Sequence, residues 1–387
     1  MQFAYLLRAV VTCLLSAALT ITSAPAAAYD VAGMREAMLT VFTSMRTLLE
    51  LSADSAQLAA PGNQRAILDA ATELEDQASL ISAHVPRDEM SFLASSLDRY
   101  AQWIRKSYEW RLYNDTRQLI HATVDVCIAC HTRLTSRHDS PLAEDFLNTA
   151  AIAKLPERER VGLQTATRRF DDALATYTTL LQQSTSSADF ERLARDYLVL
   201  VLRVRNDPRR ARDLLTAILA RPELGSVRRQ RVSAWSNTLH ELSKVPLPEA
   251  DLTSAQLLIE QAESAGKDPG ADPLVNYIVA SRLLYDYLEG RRPEAKNNAQ
   301  GSVQDGAKAY YLLGLAQYRI DPDAWLPQSE LYLEKSIRTA PASEHARKAY
   351  ELLAKKMQLS YPAAKGGLPE DVRKHLQTLQ EMVGTAG

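Results

Sequence analysis

The chain has 387 residues, of which 46% are hydrophobic and 24% charged, and its formal net charge is -2. At roughly 100–200 residues per domain, this length predicts two or three domains. The near-neutral charge excludes nucleic-acid binding through bulk positive charge. The 14 glycines and 17 prolines are too few for a collagen-like or disordered chain, and three cysteines are too few for a disulfide scaffold.

The first 28 residues have the pattern of an export signal. Arg8 precedes an apolar stretch over residues 9–22, and Ala26 and Ala28 supply the small-x-small pattern of a cleavage site. We therefore expect residues 1–28 to be a signal peptide that is removed, which implies a periplasmic bacterial protein. The apolar stretch is shorter than the ~20 residues of a membrane span, and no later stretch is long and apolar enough, so no transmembrane segment is expected after cleavage.

The remaining cysteines form a single short motif. Cys13 lies in the signal peptide, whereas Cys127 and Cys130 belong to the string Cys-Ile-Ala-Cys-His, which ends at His131. This is C-x-x-C-H, the attachment motif of c-type haem. On a helix, residues i and i+3 share a face, so each thiol can add to one haem vinyl group, and the histidine beside them can bind the iron as its proximal ligand. The motif predicts one covalently bound haem c.

Two other interpretations of the cysteine pair are weaker. A redox disulfide of this spacing lies at the start of a helix that follows a strand, and no strand pattern precedes Cys127. A structural zinc site needs four ligands, and the sequence contains no second cysteine pair. Export also favours haem, because bacteria attach c-type haem outside the cytoplasm.

Four helical segments separated by short breaks lead up to the motif and include it. They are predicted at about Val31–Ser52, Gln64–His84, Asp88–Trp110 and Asp115–Thr135, with breaks at 60–63 and 85–86. Four helices with short connections predict an antiparallel bundle that carries the motif near the end of its last helix.

This arrangement resembles the cytochrome c-prime family, the class II c-type cytochromes, in which a four-helix bundle carries C-x-x-C-H near its C-terminal end. The resemblance rests on the number and length of the helices, the position of the motif and the string Met34-Arg35-Glu36-Ala37-Met38 in the first helix. It covers residues 30–138 and implies a haem-bearing domain over residues 29–139.

The resemblance implies that one residue of the first helix faces the distal side of the iron. A methionine there makes the haem six-coordinate and suited to electron transfer, whereas an apolar residue leaves it five-coordinate. The spacing usual in the family points to Leu39, but Met38 lies at the centre of the apolar stripe of this helix. We favour Met38 as the sixth ligand, with Leu39 as the distal residue of a five-coordinate haem and Met38 as flexible core filler in the other interpretation. Arg35 is a candidate contact to a haem propionate or, alternatively, a solvated surface residue.

The second region, residues 140–387, contains no cysteine and reads as successive helices. The segment Ala309–Gly314, followed by Leu333 and Ser336, resembles a tetratricopeptide repeat with Leu-Gly at the helix crossing. Phe170–Tyr177 resembles the second helix of another unit. The resemblance implies a helical-repeat solenoid whose concave side binds a protein partner, and a plain helical domain is the alternative.

Positive charge is concentrated in one stretch of this region. Nine arginines and only three acidic residues lie between Arg203 and Arg231. Such a patch can steer an acidic partner or dock against the chain's own bundle. Solvated helix faces are the third explanation.

The sequence therefore predicts an all-α, exported protein with one haem that exchanges electrons with a redox partner, while the repeats bind a protein partner. No catalytic constellation is recognisable, so we expect an electron carrier and not an enzyme. Two alternatives stay open. One is a five-coordinate haem that binds nitric oxide or carbon monoxide, and the other is an interaction scaffold with a structural haem.

Overall fold

The computed structural model describes residues 31–52, 55–85, 89–133, 152, 155–184, 187–244, 251–268, 270–290, 302–322, 328–361 and 367–384. Within these residues the protein consists of sixteen α-helices and connecting turns, without strands, which confirms the all-α prediction. The predicted signal peptide and the predicted domain boundary at residues 139–140 lie outside the described residues. Among the described helices, none is both long and apolar enough to cross a membrane.

The helices up to the cysteine motif are α1 (Val31–Ser52), α2 (Ser55–Ala59), α3 (Gln64–His84), α4 (Glu89–Glu109) and α5 (Tyr113–His131). The helices from residue 157 onward are α6 (Glu157–Ala166), α7 (Phe170–Gln183), α8 (Ser187–Leu198), α9 (Pro208–Leu219), α10 (Ser226–Leu242), α11 (Leu252–Ala265), α12 (Leu274–Gly290), α13 (Val303–Ile320), α14 (Gln328–Thr339), α15 (Glu344–Ser360) and α16 (Glu370–Gly384). A π-helical turn, Val199–Val204, continues α8.

Side-chain caps fix the start of several helices. The carboxylate of Asp207 accepts a hydrogen bond from the Arg210 backbone at the start of α9, and that of Asp251 does the same at α11. Ser302 and Asp305 form a reciprocal capping box at α13. These caps satisfy backbone N–H groups that have no partner in the first helical turn.

The four long helices α1, α3, α4 and α5 surround one apolar core. Each packs closely on the next along the chain, and their fully buried residues include Leu48, Ile67, Leu74, Ile104 and Ile120. Three polar contacts join α3 and α4 in opposite order along the two helices, as antiparallel neighbours require: Glu75 with Arg105, Ser79 with Asp98, and Ser82 with Ser95.

The helices α1 and α5 run in opposite directions and pack on each other only sparsely. After α1 the chain enters α2, where the Leu58 carbonyl accepts a hydrogen bond from the Tyr108 hydroxyl beside the start of α5. The first turns of α1 therefore lie at the same end as the last turns of α5. Over their length α1 and α5 pack on each other much more sparsely than the other neighbouring pairs.

From α6 onward, successive helices pack mainly on their neighbours in the chain. The helix α12 lies at the centre, because residues around its whole circumference are buried. The backbones of α13 and α14 approach closely at Gly314, where an added Cβ would lie 2.8 Å from Leu333 Cγ. Ser336 of α14 is buried and donates a hydrogen bond to the Ala307 carbonyl.

Most helices lie where the sequence predicts them. The bounds of α1 and α3 coincide with the predicted ones. The prediction for α5 is wrong at its end, because the helix stops at His131 and the backbone turns at Thr132 and Arg133 instead of continuing to residue 135. The short α2 and the last helix α16 were not predicted.

We expect Gly314→Ala to lower the free energy of unfolding by about 1–3 kcal/mol, because the new methyl group overlaps Leu333 and the two backbones must separate. Urea unfolding followed by circular dichroism measures the change. Gly290→Ala in α12 is the matched control, because nothing lies within 4 Å of its added Cβ. An equal loss in both variants would show that close packing at residue 314 is not the cause.

Candidate functional site

The two cysteines of the motif lie on the last turns of α5. Cys127 and Cys130 are one helical turn apart, are not joined by a disulfide, and are both partly buried against the core shared by α1, α3, α4 and α5. Residues i and i+3 share a helix face, so the two thiols are presented side by side.

The protonation of Cys127 differs from that of a redox-active thiol. Desolvation, and to a lesser extent the neighbouring Cys130, raises the pKa of Cys127 to about 12. Reactive C-x-x-C thiolates lie at helix N-termini, where the helix dipole lowers the pKa. This pair lies at the opposite, C-terminal end of a helix, so Cys127 is a protonated thiol at neutral pH.

The histidine of the motif, His131, forms a hydrogen bond with a residue outside α5. Its Nδ1 lies 2.6 Å from the backbone carbonyl oxygen of Ala166, the last residue of α6. A carbonyl oxygen only accepts, so Nδ1 carries the proton and donates it, and Nε2 keeps its lone pair. Desolvation lowers the pKa of His131 to about 4, which keeps the imidazole neutral. A neutral imidazole with one nitrogen tied to a carbonyl is the form that binds a metal through the other nitrogen.

On α1, the two candidate distal residues face different directions. Met38 is partly buried and packs against the same core as Cys127 and Cys130, whereas Leu39 is 47% exposed. Because α1 starts at the end where α5 finishes, Met38 lies at the same end of the helix group as the motif. Arg35 is exposed and is in none of the ion pairs formed between described residues.

The chain just beyond the motif is inserted among later helices. Arg133 is only 7% exposed, and its guanidinium lies 4.8 Å from the ring centre of Tyr332 on α14 and 5.4 Å from that of Tyr285 on α12. Arg203 approaches the same Tyr285 ring at 5.5 Å. Desolvation, and then the nearby Arg133, lower the pKa of Arg203, since two cations share one buried aromatic site. We call Arg133, Tyr285 and Tyr332 the aromatic clamp.

On another side of α5, the carboxyl group of Asp125 interacts electrostatically with charged groups of the later helices. Desolvation and the carboxylate of Asp196 on α8 raise the pKa of Asp125, which Arg192 lowers and Asp321 raises further. Asp125 lies two residues before Cys127, so this side of the motif faces α8 and the end of α13.

The arginine-rich stretch does not form one open positive surface. Seven of its nine arginines contact described partners, namely Arg203, Arg205, Arg210, Arg221, Arg228, Arg229 and Arg231. Among described residues, only Arg209 and Arg212 of this stretch have no recorded side-chain partner. Most arginines of this stretch are therefore engaged in contacts within the protein.

The contacts to Ala166 and within the aromatic clamp are not predictable from the sequence. A backbone carbonyl leaves no signal in the sequence, and Tyr285 and Tyr332 follow the motif by some 150–200 positions.

No known protein family matches this chain, and neither curated proteins nor solved structures include a similar one. Within the described part of the chain, no group of three or more histidine, cysteine, aspartate or glutamate side chains converges in the manner of a metal site.

We expect Tyr332→Leu to lower the free energy of unfolding by about 2 kcal/mol or more, because it removes a ring face from the buried Arg133. Tyr332→Phe keeps the ring and is the matched control. Hydrogen exchange followed by mass spectrometry should also show faster exchange at the end of α5 in the leucine variant alone. Equal effects of both variants would assign the stabilisation to the hydroxyl group instead.

Proposed function

We propose that this protein is an exported c-type cytochrome that carries one covalent haem on Cys127, Cys130 and His131 and transfers electrons. The observation that carries the proposal is the state of His131 at the end of a C-x-x-C-H motif. Its Nδ1 donates to the Ala166 carbonyl, so its Nε2 is available as an iron ligand. The two thiols lie side by side on one helix face, as addition to two vinyl groups requires, and the raised pKa of Cys127 is unlike that of a redox-active thiolate.

The surroundings of the motif also fit such a group. The helices α1 and α5 pack on each other more sparsely than the other neighbouring helix pairs of this group. Cys127, Cys130 and Met38 all border the core at this end. When bound, the haem supplies one-electron chemistry, as its iron cycles between the ferrous and ferric states.

In this proposal the residues of the chain attach and orient the group. Cys127 and Cys130 fix it through two thioether links, and the hydrogen bond to Ala166 sets the orientation of the His131 ring. Met38 is the proposed sixth ligand, since it faces the core while Leu39 faces outward. A haem held by both His131 and Met38 would be suited to electron transfer more than to the binding of a gas.

The later helices are proposed to form a tetratricopeptide-like scaffold that binds a partner protein. The close crossing at Gly314 and Leu333 and the buried Ser336 support the resemblance of α13 and α14 to one repeat unit. Successive helices that pack on their neighbours favour a curved surface for a partner.

Covalent haem is tested by the cysteines. Expressed with its own leader in bacteria that mature c-type cytochromes, the protein should keep its haem stain on a denaturing gel, and Cys127→Ser combined with Cys130→Ser should abolish it. Cys13→Ser is the matched control, because Cys13 lies in the predicted signal peptide. The denatured mature protein should contain no titratable thiol. Reactive thiols in the purified wild type would contradict the proposal.

Coordination is tested by Met38→Ala. We expect the wild type to have a low-spin, six-coordinate absorption spectrum that Met38→Ala converts to a high-spin one able to bind carbon monoxide when reduced. Met34→Ala, one turn away and also partly buried against the core, should keep the wild-type spectrum. A high-spin wild type that binds carbon monoxide would favour the alternative of a five-coordinate, gas-binding haem.

A further inference from the structure

Two tryptophans lie exposed where α4 ends and the chain turns into α5. Trp103 is 46% exposed and Trp110 is 60% exposed, and their ring centres lie 6.3 Å apart in an edge-to-face arrangement. Leu112, in the turn between the two helices, is 45% exposed. Isolated apolar side chains on a surface need no explanation, whereas a group of large ones marks an interaction site. We call Trp103, Trp110 and Leu112 the tryptophan corner.

The backbone at the end of α4 makes this corner project from the protein. Arg111 has a positive φ of 61° and ends the helix. The N–H groups of Arg111 and Leu112 donate to the carbonyls of Tyr108 and Ser107, which closes the helix around one residue in the left-handed conformation. Residues 109–112 are all exposed. The corner is therefore a convex turn and not a groove.

The face of α4 that carries the tryptophans is otherwise basic. One stripe along this helix, with spacings of four, three and four residues, consists of Arg99, Trp103, Lys106 and Trp110. The Nζ atom of Lys106 lies 5.8 Å from the ring centre of Trp103. Among the described residues, Arg99, Lys106 and Arg111 take part in no ion pair. Their positive charge is therefore available to an external anionic group.

The neighbouring acidic side chains do not cancel this charge. From Asp98 onward, the carboxylates of α4 lie on the side that faces α3. There Asp98 accepts a hydrogen bond from α3, and Glu109 pairs with Arg105, which also pairs with Glu75. On the side of the tryptophans, Asp115 lies in the first turn of α5, where the helix dipole favours a carboxylate. It offsets one of the three free cations, so this side keeps a net positive charge.

We propose that the tryptophan corner binds the surface of a membrane that contains anionic lipids, with its apolar side chains among the headgroups and Lys106 and Arg111 beside the lipid phosphates. Tryptophan is enriched at membrane–water interfaces, because its ring is apolar and its N–H is polar. Basic side chains beside it add attraction to an anionic surface. A protein partner would need a hollow that matches the projecting turn, whereas mobile headgroups rearrange around it.

Binding through this corner also orients the cysteine motif. The helix α5 starts next to the corner, and its 19 residues make it about 28 Å long. The motif ends at His131, on the last turn of the same helix. A protein that contacts lipid through the corner therefore keeps the motif at the end of α5 away from the membrane. In the proposed function, a partner in the aqueous phase can reach that end. The inference itself does not depend on haem.

The test is cosedimentation of the purified protein with vesicles of phosphatidylglycerol and phosphatidylcholine in equal parts, and with vesicles of phosphatidylcholine alone. The wild type should bind the mixed vesicles more tightly, and high salt should weaken this binding. Trp103→Ala combined with Trp110→Ala should weaken it by about tenfold or more. Lys106→Gln combined with Arg111→Gln should remove the preference for the anionic lipid.

The matched control for the tryptophans is Leu359→Ala combined with Tyr361→Ala. These two side chains are also large and exposed, and they lie at the end of α15. Their removal should leave vesicle binding unchanged.

Three vesicle results would overturn the inference: no binding by the wild type, equal binding to both kinds of vesicle, or an equal loss in the control variant. Analytical ultracentrifugation adds a fourth. A wild-type dimer that dissociates when both tryptophans are replaced would assign the corner to a contact between two copies of the chain. If the double tryptophan variant does not fold, Trp110→Ala alone, at the most exposed position of the corner, provides the test.

Discussion

The position of the cysteine motif depends on one buried cation. The guanidinium of Arg133, two residues after His131, lies close to the rings of Tyr285 and Tyr332, which meet edge to face. A guanidinium taken out of water is costly unless its surroundings compensate for it, and two aromatic faces do so only while the helices that carry them stay in register. The end of α5 is thereby tied to α12 and α14. A change in the packing of α12 or α14 would therefore alter the position of the motif, although both helices lie far from it along the chain.

The hydrogen bond from His131 to Ala166 adds a second tie, with a chemical consequence. A histidine at a helix end is free to rotate and to protonate when water surrounds it. Here burial disfavours the charged form, and the α6 carbonyl selects the proton position. The imidazole belongs to the motif, but the position of its proton is set by α6, which lies outside the four long helices. The site therefore belongs to the packed pair of α5 and α6, which contact each other where Gly162 of α6 faces the side chain of Val124.

The sequence predicts well those features that depend on residues close together in the chain. The bounds of α1 and α3 follow from apolar periodicity and the break at Pro61 and Gly62. The close crossing at Gly314 is what the resemblance to a tetratricopeptide repeat implies. What it misses is long-range. The end of α5 is set by the turn that inserts Arg133 into the aromatic clamp, and no local pattern encodes that. For the same reason a run of arginines looked like an open patch, since partners such as Asp171 and Asp272 lie elsewhere in the chain.

The number of arginines in a stretch of this protein does not show how much positive charge is exposed, because most of them have partners within the protein. Where arginines are most frequent, most of them are paired with carboxylates or stacked on aromatic rings within the protein. Charged and apolar groups lie on different sides of α5, the helix that carries the cysteine motif. One side of this helix carries the cysteines toward the core, and Asp125 faces α8 and Arg192 on another. Electron transfer requires a partner to approach the haem closely and in a fixed orientation. In the proposed function, a partner would have to meet this requirement on a side of α5 that faces away from the core.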